Sequence, residues 1–223
     1  MTNSLDKYFF DLICGSQSLW LDHFALVVTN AWTWLPLYIM LFILIVKNHD
    51  NMQQIVMCFV CAVLGVLLAT GLTSIVAKPY FERLRPCNDP EFKYLVDIAN
   101  NIRNKDYSFF SSHAATSMSL VAFMFFYTRS GMMTFFMFVW SLSMAWSRMY
   151  LAQHFFTDVA AGMLWGMITG SFAYFIYKTF SAKLYDAKCS ISDKYTSTGI
   201  DKHDIETVTL VILLTFLYAA VAI

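Results

Sequence analysis

Residues 147–158, SRMYLAQHFFTD, combine three side chains that can do chemistry together. Arg148, His154 and Asp158 lie within these twelve residues. An aspartate that accepts the N–H of an imidazole fixes its tautomer and raises the basicity of the other ring nitrogen. His154 and Asp158 are four residues apart, so a helix holding both would present them on one face. The pair predicts a nucleophile or base at His154, although on its own it also fits a histidine that only satisfies a helix end.

A second histidine begins an apolar stretch in SFFSSHAATS, residues 108–117. Ser111 or Ser112 is a suitable N-cap for a helix that carries His113 in its first turn. The free N–H groups of such a helix start favour an anion. A simple helix cap is the alternative for this stretch taken alone.

Three cations lie close together in KPYFERLRP, residues 78–86. Lys78 and Arg85 are seven residues apart, so a helix containing both would show them on one face, and Arg83 lies between them. Each cation alone also fits a residue that binds lipid headgroups or extends its charge to the membrane surface.

The composition predicts an integral membrane protein. The chain has 223 residues, of which 58% are hydrophobic and 13% charged, with a mean hydropathy of +0.55. Soluble domains are about 45–50% apolar and about 25% charged. The formal net charge is zero and no basic stripe is present, so nucleic-acid binding is not expected. Cys58 and Cys61 have C-x-x-C spacing inside an apolar run, which favours packing over a redox or metal role.

The apolar runs predict an all-α fold, a six-helix transmembrane bundle in one membrane domain, 1–223. An amphipathic segment at about 1–23 is expected at the membrane interface. A loop on the catalytic side covers 78–112, and a polar linker covers 182–204. Pro36 interrupts the first span. The six spans are expected at about 24–47, 53–77, 113–129, 132–150, 155–178 and 205–223.

Three glycines at every fourth position mark the fifth span. Gly162, Gly166 and Gly170 allow close approach of another helix. Packing inside one bundle is preferred to dimerisation, and the sequence leaves open whether the protein is a monomer or a homodimer.

Alternation of the spans brings the polar residues to one side of the membrane. Ionisable groups near spans are costly and tend to mark function. Cations and helix N–H groups suit a phosphate, and two histidines suit a nucleophile and a general acid. The sequence therefore predicts a phosphoryl-transfer site that needs no metal and no cofactor, since no close ligand cluster such as H-E-x-x-H occurs. The converging residues are Lys78, Arg85, Ser111, Ser112, His113, Arg148, His154 and Asp158.

These stretches resemble the motifs of the type 2 phosphatidic acid phosphatase superfamily, which are Lys-x6-Arg-Pro, Pro-Ser-Gly-His and Ser-Arg-x5-His-x3-Asp. Residues 78–86 match the first motif and residues 147–158 match the third in full. Residues 110–113, FSSH, match the second with Phe110 in place of proline and Ser112 in place of glycine. The resemblance extends from about residue 20 to 180, with the motifs in the family's order.

The resemblance implies a role for each matching residue. His154 resembles the nucleophile that forms a phosphohistidine, and Asp158 resembles its orienting partner. His113 resembles the acid that protonates the leaving oxygen and then the base that activates water. The implied phosphate clamp consists of Lys78, Arg85, Arg148, Ser111 and the Ser112 amide.

A lipid phosphatase of the membrane is the leading hypothesis, and the partner is a lipid phosphate. Candidate substrates are undecaprenyl diphosphate, the phosphates of lipid A, phosphatidylglycerol phosphate and phosphatidic acid. A lipid phosphotransferase with the same site and a non-catalytic lipid binder or carrier are the alternatives. In the loop 86–107, a candidate lid, Lys93, Arg103 and Lys105 are placed to meet a second phosphate, although a plain solvated connection is also compatible.

The distribution of Lys and Arg gives a weak indication of orientation. Eight lie on the catalytic side and seven on the opposite side, and removal of the three clamp cations leaves five against seven. The bias predicts that the catalytic face lies outside the cytoplasm. The resemblance to bacterial members implies an inner-membrane protein with a periplasmic or outward-facing site.

Overall fold

A computed structural model describes residues 4–14, 18–95, 103–181 and 194–222. Within these ranges the chain is helical without strands, and its one β-bridge joins Tyr195 to Asp201. The predicted all-α class is confirmed. Residues 182–193 of the predicted linker lie outside the described residues, and its last three residues belong to a helix. Helices α1 to α9 span Ser4–Ile13, Leu19–Thr29, Leu35–Lys47, Met52–Gly71, Lys78–Phe81, Ser112–Thr128, Gly131–Tyr150, Phe156–Ser181 and Lys202–Val221.

The first predicted span is bent at Asn30. Helices α2 and α3 meet at 66° across the 3-10 turn Ala31–Trp34, and the Asn30 side chain accepts from Trp32 N at 3.1 Å. The expectation that Pro36 interrupts the span is wrong. Pro36 lies in the first turn of α3, where a missing N–H removes no helical hydrogen bond.

Three described helices are long and apolar enough to cross a membrane, and the bent α2–α3 pair adds a fourth candidate. The three are Met52–Phe81, which continues α4 through the π-helical turn Leu72–Ala77 into α5, then α8 and α9. Helix α6 has 17 residues, about 26 Å at 1.5 Å per residue, which is short of a hydrocarbon core of about 30 Å. Helices occupy all six predicted positions, and the count of six spans stays a prediction.

Helix α6 forms the centre of the bundle and packs tightly on α8. A Cβ added at Gly162, Gly166 or Gly170 would lie 2.0–2.6 Å from carbonyl oxygens of α6. Only glycine permits this approach. The preference for packing inside the bundle is therefore confirmed for these three glycines.

The buried cysteines serve packing. Cys58 and Cys61 are free thiols with 0% and 2% exposure inside the largest apolar cluster. Helix α1 buries Asp6 and Phe10. Its predicted position at the membrane interface stays a prediction.

Candidate active site

His154 lies in the turn that joins α7 to α8. The carbonyl oxygen of Arg148 accepts from the backbone N–H groups of Gln153 and His154, at 3.0 and 3.2 Å. His154 is only 3% exposed. Because α8 begins at Phe156, the expectation that His154 and Asp158 share a helix face is wrong. The turn itself fixes the imidazole against the start of α8.

A serine hydroxyl connects His154 to Asp158. His154 Nδ1 and Asp158 Oδ2 are 3.9 Å apart, beyond hydrogen-bond distance. Ser108 Oγ lies 3.3 Å from His154 Nδ1 and donates a short hydrogen bond to Asp158 Oδ2. The predicted partnership of the two residues is thus indirect, with Ser108 between them.

The other ring nitrogen of His154 faces a cation. Arg85 Nη1 lies 3.4 Å from His154 Nε2. Arginine only donates, so Nε2 presents its lone pair to Arg85 and Nδ1 carries the proton toward Ser108. In this tautomer Nε2 is the ring nitrogen that carries the lone pair.

Burial and positive charge keep this imidazole neutral. The pKa of His154 is well below its ordinary value, first because the ring is buried, and then because Arg148, Arg85 and Lys78 repel a second positive charge. A neutral imidazole can attack phosphorus, whereas an imidazolium cannot.

The predicted clamp cations Lys78 and Arg85 meet on one carboxylate. Lys78 Nζ and Arg85 Nη2 each lie 2.8 Å from Asp106 Oδ2. Helix α5 ends at Phe81 because Glu82 adopts a left-handed conformation with φ +45°. Lys78 and Arg85 therefore converge through a turn and do not share a helix face. Arg85 is only 3% exposed.

Asp106 is held ionised by these cations. Burial by itself raises the pKa of its carboxyl, but the hydrogen bonds and charges of Lys78 and Arg85 outweigh burial and lower the pKa to about 2. The clamp therefore has a carboxylate as counter-ion in this structure.

Two buried donors of the site have no partner among the described residues. They are Arg148 Nε and Ser112 Oγ. Arg148 Nη1 donates to Thr29 Oγ1 at 3.1 Å, which anchors the guanidinium to the end of α2. A buried donor without a partner costs roughly 1–3 kcal/mol, so an anion that accepts from either atom would be stabilised there.

Ser111 caps α6 as predicted. Its hydroxyl accepts from Ala114 N, and its own backbone N–H donates to Asp158 O at 3.0 Å. Ser111 is fully buried and ties α6 to α8. His113 follows in the first turn of α6, where the charges of Lys78, Arg85 and Arg148 all act on its ring.

The loop 86–95 packs against the histidine turn. Cys87 N donates to Ala152 O at 3.0 Å, and Arg103 donates to Cys87 O. Lys93 Nζ lies 4.7 Å from the ring centroid of Tyr94. These contacts place Arg103 inside the loop structure. Residues 96–102 of this predicted lid lie outside the described residues.

Sequence reasoning missed Ser108, Asp106 and Gln153. Gln153 O accepts from Arg85 Nη1 at 3.0 Å, and Asn104 donates to its side-chain oxygen at 2.9 Å. Ser108 is the first residue of SFFSSHAATS, the stretch that was singled out for His113, and this nearness in sequence was its one signal. Asp106 belongs to a loop without a pattern, so its position required the tertiary structure.

Comparison with known proteins identifies the family of the chain. The model of the PAP2 superfamily matches residues 59–182. The chain belongs to this superfamily and is a phosphatase.

Two curated relatives and two solved structures are similar to the chain. Lipid A 4'-phosphatase from Porphyromonas gingivalis is 30% identical over 83% of this chain and 78% of its own length. Lipid A 4'-phosphatase from Bacteroides thetaiotaomicron is 31% identical over 76% of each. LpxE from Aquifex aeolicus superposes with a TM-score of 0.59 at 24% identity, over 77% of this chain and 95% of that one. The PAP2-type phosphatidylglycerolphosphate phosphatase from Bacillus subtilis gives 0.56 at 20% identity, over 83% and 88%. The two structures support the fold.

Proposed function

We propose that this phosphatase hydrolyses a phosphate monoester of lipid A, with the 4'-phosphate as the leading position. Both curated relatives carry that activity in their names, at 30% and 31% identity over most of the chain. Lipid A was one of four candidate substrates from the sequence. The motifs bind phosphate only, so the choice among the four rests on these relatives.

The arrangement of His154 is the observation that carries the mechanism. Nδ1 is held by Ser108, and Nε2 points to Arg85, one of the cations that would bind the phosphate. The attacking atom and the clamp therefore face each other in a buried site.

In the first step, the Nε2 lone pair of His154 forms a bond to phosphorus and the bond from phosphorus to the lipid oxygen breaks. His113, whose proton the negative charge of the bound phosphate would stabilise against burial and the nearby cations, gives that proton to the leaving oxygen. The lipid therefore departs as an alcohol. Asp158, acting through Ser108, stabilises the positive charge that develops on the imidazole.

In the second step, neutral His113 takes a proton from water and the water oxygen forms a bond to phosphorus. The bond between phosphorus and Nε2 breaks, and inorganic phosphate is released. His154 regains its lone pair and His113 regains its proton, which completes the cycle.

Cations stabilise the charge on the phosphate in both steps. Lys78 and Arg85 would exchange Asp106 for phosphate oxygens, and Arg148 Nε would gain the acceptor that it lacks. Charge-assisted hydrogen bonds of this kind are roughly twice as strong as neutral ones. No step requires a metal ion.

Two mostly apolar cavities lie along α6. A cavity of about 320 Å³ lies one turn along α6 from His113, where Thr116, Leu120 and Trp140 line it. A second cavity of about 200 Å³ between α3 and α4 shares Tyr38, Val66 and Leu120 with the first. Apolar space of this size beside α6 would accommodate part of an acyl chain, which supports a substrate with its chains in the membrane.

We further propose a six-span bundle in a bacterial inner membrane, with the site facing the periplasm or the outside. The Lys and Arg bias supports this orientation.

The first test is phosphate release by the purified protein in detergent with EDTA. The panel contains lipid A, undecaprenyl diphosphate, phosphatidylglycerol phosphate and phosphatidic acid. We expect release in EDTA, fastest from lipid A and lost in His154→Ala. The matched control is His203→Ala, since His203 is an exposed histidine at the start of α9. Activity retained by His154→Ala would contradict the phosphohistidine step, and loss of activity in EDTA would contradict the metal-free mechanism.

The second test locates the phosphate that is removed. Lipid A with phosphates at both ends is treated with the enzyme, and fragmentation mass spectrometry identifies the sugar that keeps its phosphate. Loss from the 4' position supports the proposal. Loss from the other position alone, or no reaction with lipid A beside rapid reaction of another panel member, overturns the assignment.

A further inference from the structure

Helix α1 places a buried carboxylate at the start of α8. Asp6 is 1% exposed, although it lies on the first described helix. Its Oδ1 accepts from Thr157 N at 2.9 Å, and its Oδ2 accepts from Thr157 Oγ1 at 2.9 Å. Asp6 thus caps α8 from another helix. A buried carboxylate is costly unless it is paired and hydrogen-bonded, so this position needs a cation.

Arg83 is that cation, and it also binds Asp158. Arg83 Nη2 lies 2.6 Å from Asp6 Oδ2, while Nη1 bonds to Asp158 Oδ1. The guanidinium carbon lies 4.3 Å from the ring centroid of Phe155. One guanidinium therefore joins a carboxylate of α1 to the carboxylate beneath His154.

Aromatic packing holds α1 in this place. Phe9 stacks on Phe156 with ring centroids 4.0 Å apart. Phe10 is buried and meets Phe92 edge to face at 4.7 Å. The ion pairs are thus enclosed by an apolar contact, which strengthens them.

We propose that Asp6 and Arg83 are positioning residues of the active site, so that α1 completes the catalytic centre. The chain Asp6–Arg83–Asp158 fixes the carboxylate that, through Ser108, orients His154. This inference rests on the proposed role of His154 as nucleophile. Neither Asp6 nor Arg83 touches the reacting atoms.

The linked residues Asp6, Arg83 and Asp158 also set the net charge on the Asp158 side of His154. Asp158 and Arg83 together are neutral, and Asp6 leaves the trio with one negative charge, which favours a positively charged imidazole in the transition state. The cations Arg148, Arg85 and Lys78 act in the opposite sense, because they disfavour a positive charge on the imidazole. Four groups act directly on the charge of His154, namely Lys78, Arg85, His113 and Arg148. The charged groups linked to these or to Asp158 are Asp6, Arg83, Asp106 and Asp158 itself.

The test is the kinetics and pH profile of Asp6→Asn. Asparagine keeps an oxygen that can accept from Thr157, but it removes the negative charge. We expect kcat to fall about tenfold or more, as for a lost hydrogen bond to a charged group, with KM little changed. His154 must be neutral to attack, and loss of a nearby negative charge lowers its pKa. The acid limb of kcat/KM should therefore move to lower pH relative to the parent enzyme.

Lys7→Gln is the matched control. Lys7 belongs to the same helix and pairs with Glu91 at the surface, away from Asp158. This variant should keep the parent kcat and pH profile. An equal loss of kcat in Lys7→Gln would show that Asp6 acts only by holding α1 in place. That result would overturn the proposal.

A second variant guards against misfolding. Asp6→Asn/Arg83→Gln removes both charges of the buried pair and leaves the single charge of Asp158. If Asp6→Asn does not fold in detergent, the double variant should still lose kcat with KM retained. A parent-like kcat in whichever variant folds would overturn the proposal, and so would an unmoved acid limb in folded Asp6→Asn. Loss of activity in His154→Ala is measured separately, so failure of the nucleophile assignment remains distinguishable from failure of this inference.

Discussion

Ser108 joins His154 to Asp158 through one hydroxyl group. Its Oγ lies within 3.3 Å of the imidazole and bonds the carboxylate. Without that oxygen, the two side chains are 3.9 Å apart and share no hydrogen bond. The orientation of the proposed nucleophile therefore depends on a residue that none of the three motifs contains.

Ser108→Ala should lower kcat about 10–100-fold, because a hydrogen bond to a charged group is worth about 1.5–3 kcal/mol. KM should change little, since Ser108 does not face the clamp. Steady-state kinetics check this, with Ser171→Ala on the exposed face of α8 as control. Parent-like kcat in Ser108→Ala would show that Asp158 orients His154 without the bridge.

Asp106 pairs with Lys78 and Arg85, the two cations that are proposed to bind phosphate. Asp106→Asn should therefore bind inorganic phosphate several-fold more tightly and show stronger product inhibition. The inhibition constant for phosphate measures this, and Asp50→Asn, an exposed aspartate near the opposite end, is the control. An unchanged or larger constant in Asp106→Asn would rule out competition.

The same carboxylate has a defined pH dependence. Its pKa is about 2 in the folded protein against an ordinary value of 3.8, so its ion pairs stabilise the fold fully above pH 3.8. That stabilisation is lost as pH falls from 3.8 through about 2. If activity falls with decreasing pH while the pH is still above 3.8, groups other than Asp106 cause that fall.

At the scale of elements, the contact between α6 and α8 sets the geometry of the site. Ser111 N donates to Asp158 O across this contact, and Gly162 lies directly beneath the Ser111 carbonyl. Any separation of the two helices would move the cap and His113 away from the histidine turn.

Gly166→Ala should destabilise the protein by about 1–3 kcal/mol, because the new Cβ would lie 2.2 Å from Ala115 O. Gly71→Ala in α4 is the matched control, since nothing lies within 4 Å of its Cβ position. Thermal unfolding in detergent should show a lower midpoint only for Gly166→Ala. Equal midpoints would mean that the helices separate at little cost.

At the scale of the whole molecule, the polar ends of the bundle separate into two faces. The catalytic groups gather at the starts of α6 and α8, while Lys47 pairs with Asp204 where α3 ends and α9 begins. This division makes the proposed orientation testable from outside the membrane.

Tyr94→Cys and His203→Cys place a thiol on each face, at side chains that are largely exposed. In intact spheroplasts, an impermeant maleimide should label Tyr94→Cys above the parent background and His203→Cys only after permeabilisation. The reverse pattern would place the catalytic face in the cytoplasm.

The sequence determined the helical class, the approximate helix positions and the chemical types of the site. Apolar runs of fixed length favour helices in lipid. The residue types of His154, Asp158, Lys78 and Arg85 indicate phosphate chemistry, whereas their spacing did not show how they meet. The close packing of α8 also follows from its glycines, because small residues at that spacing let helix backbones approach closely.

Only the tertiary structure decided which groups meet. Ser108 bonds to Asp158 across 50 positions of the chain, and Arg85 bonds to Asp106 across 21. Asp6 bonds to Thr157 across 151 positions. A local sequence pattern does not predict such contacts, because they depend on the direction in which each turn leads the chain. The bend at Asn30 and the position of His154 outside α8 were decided in the same way, by packing and turn geometry that override helical spacing.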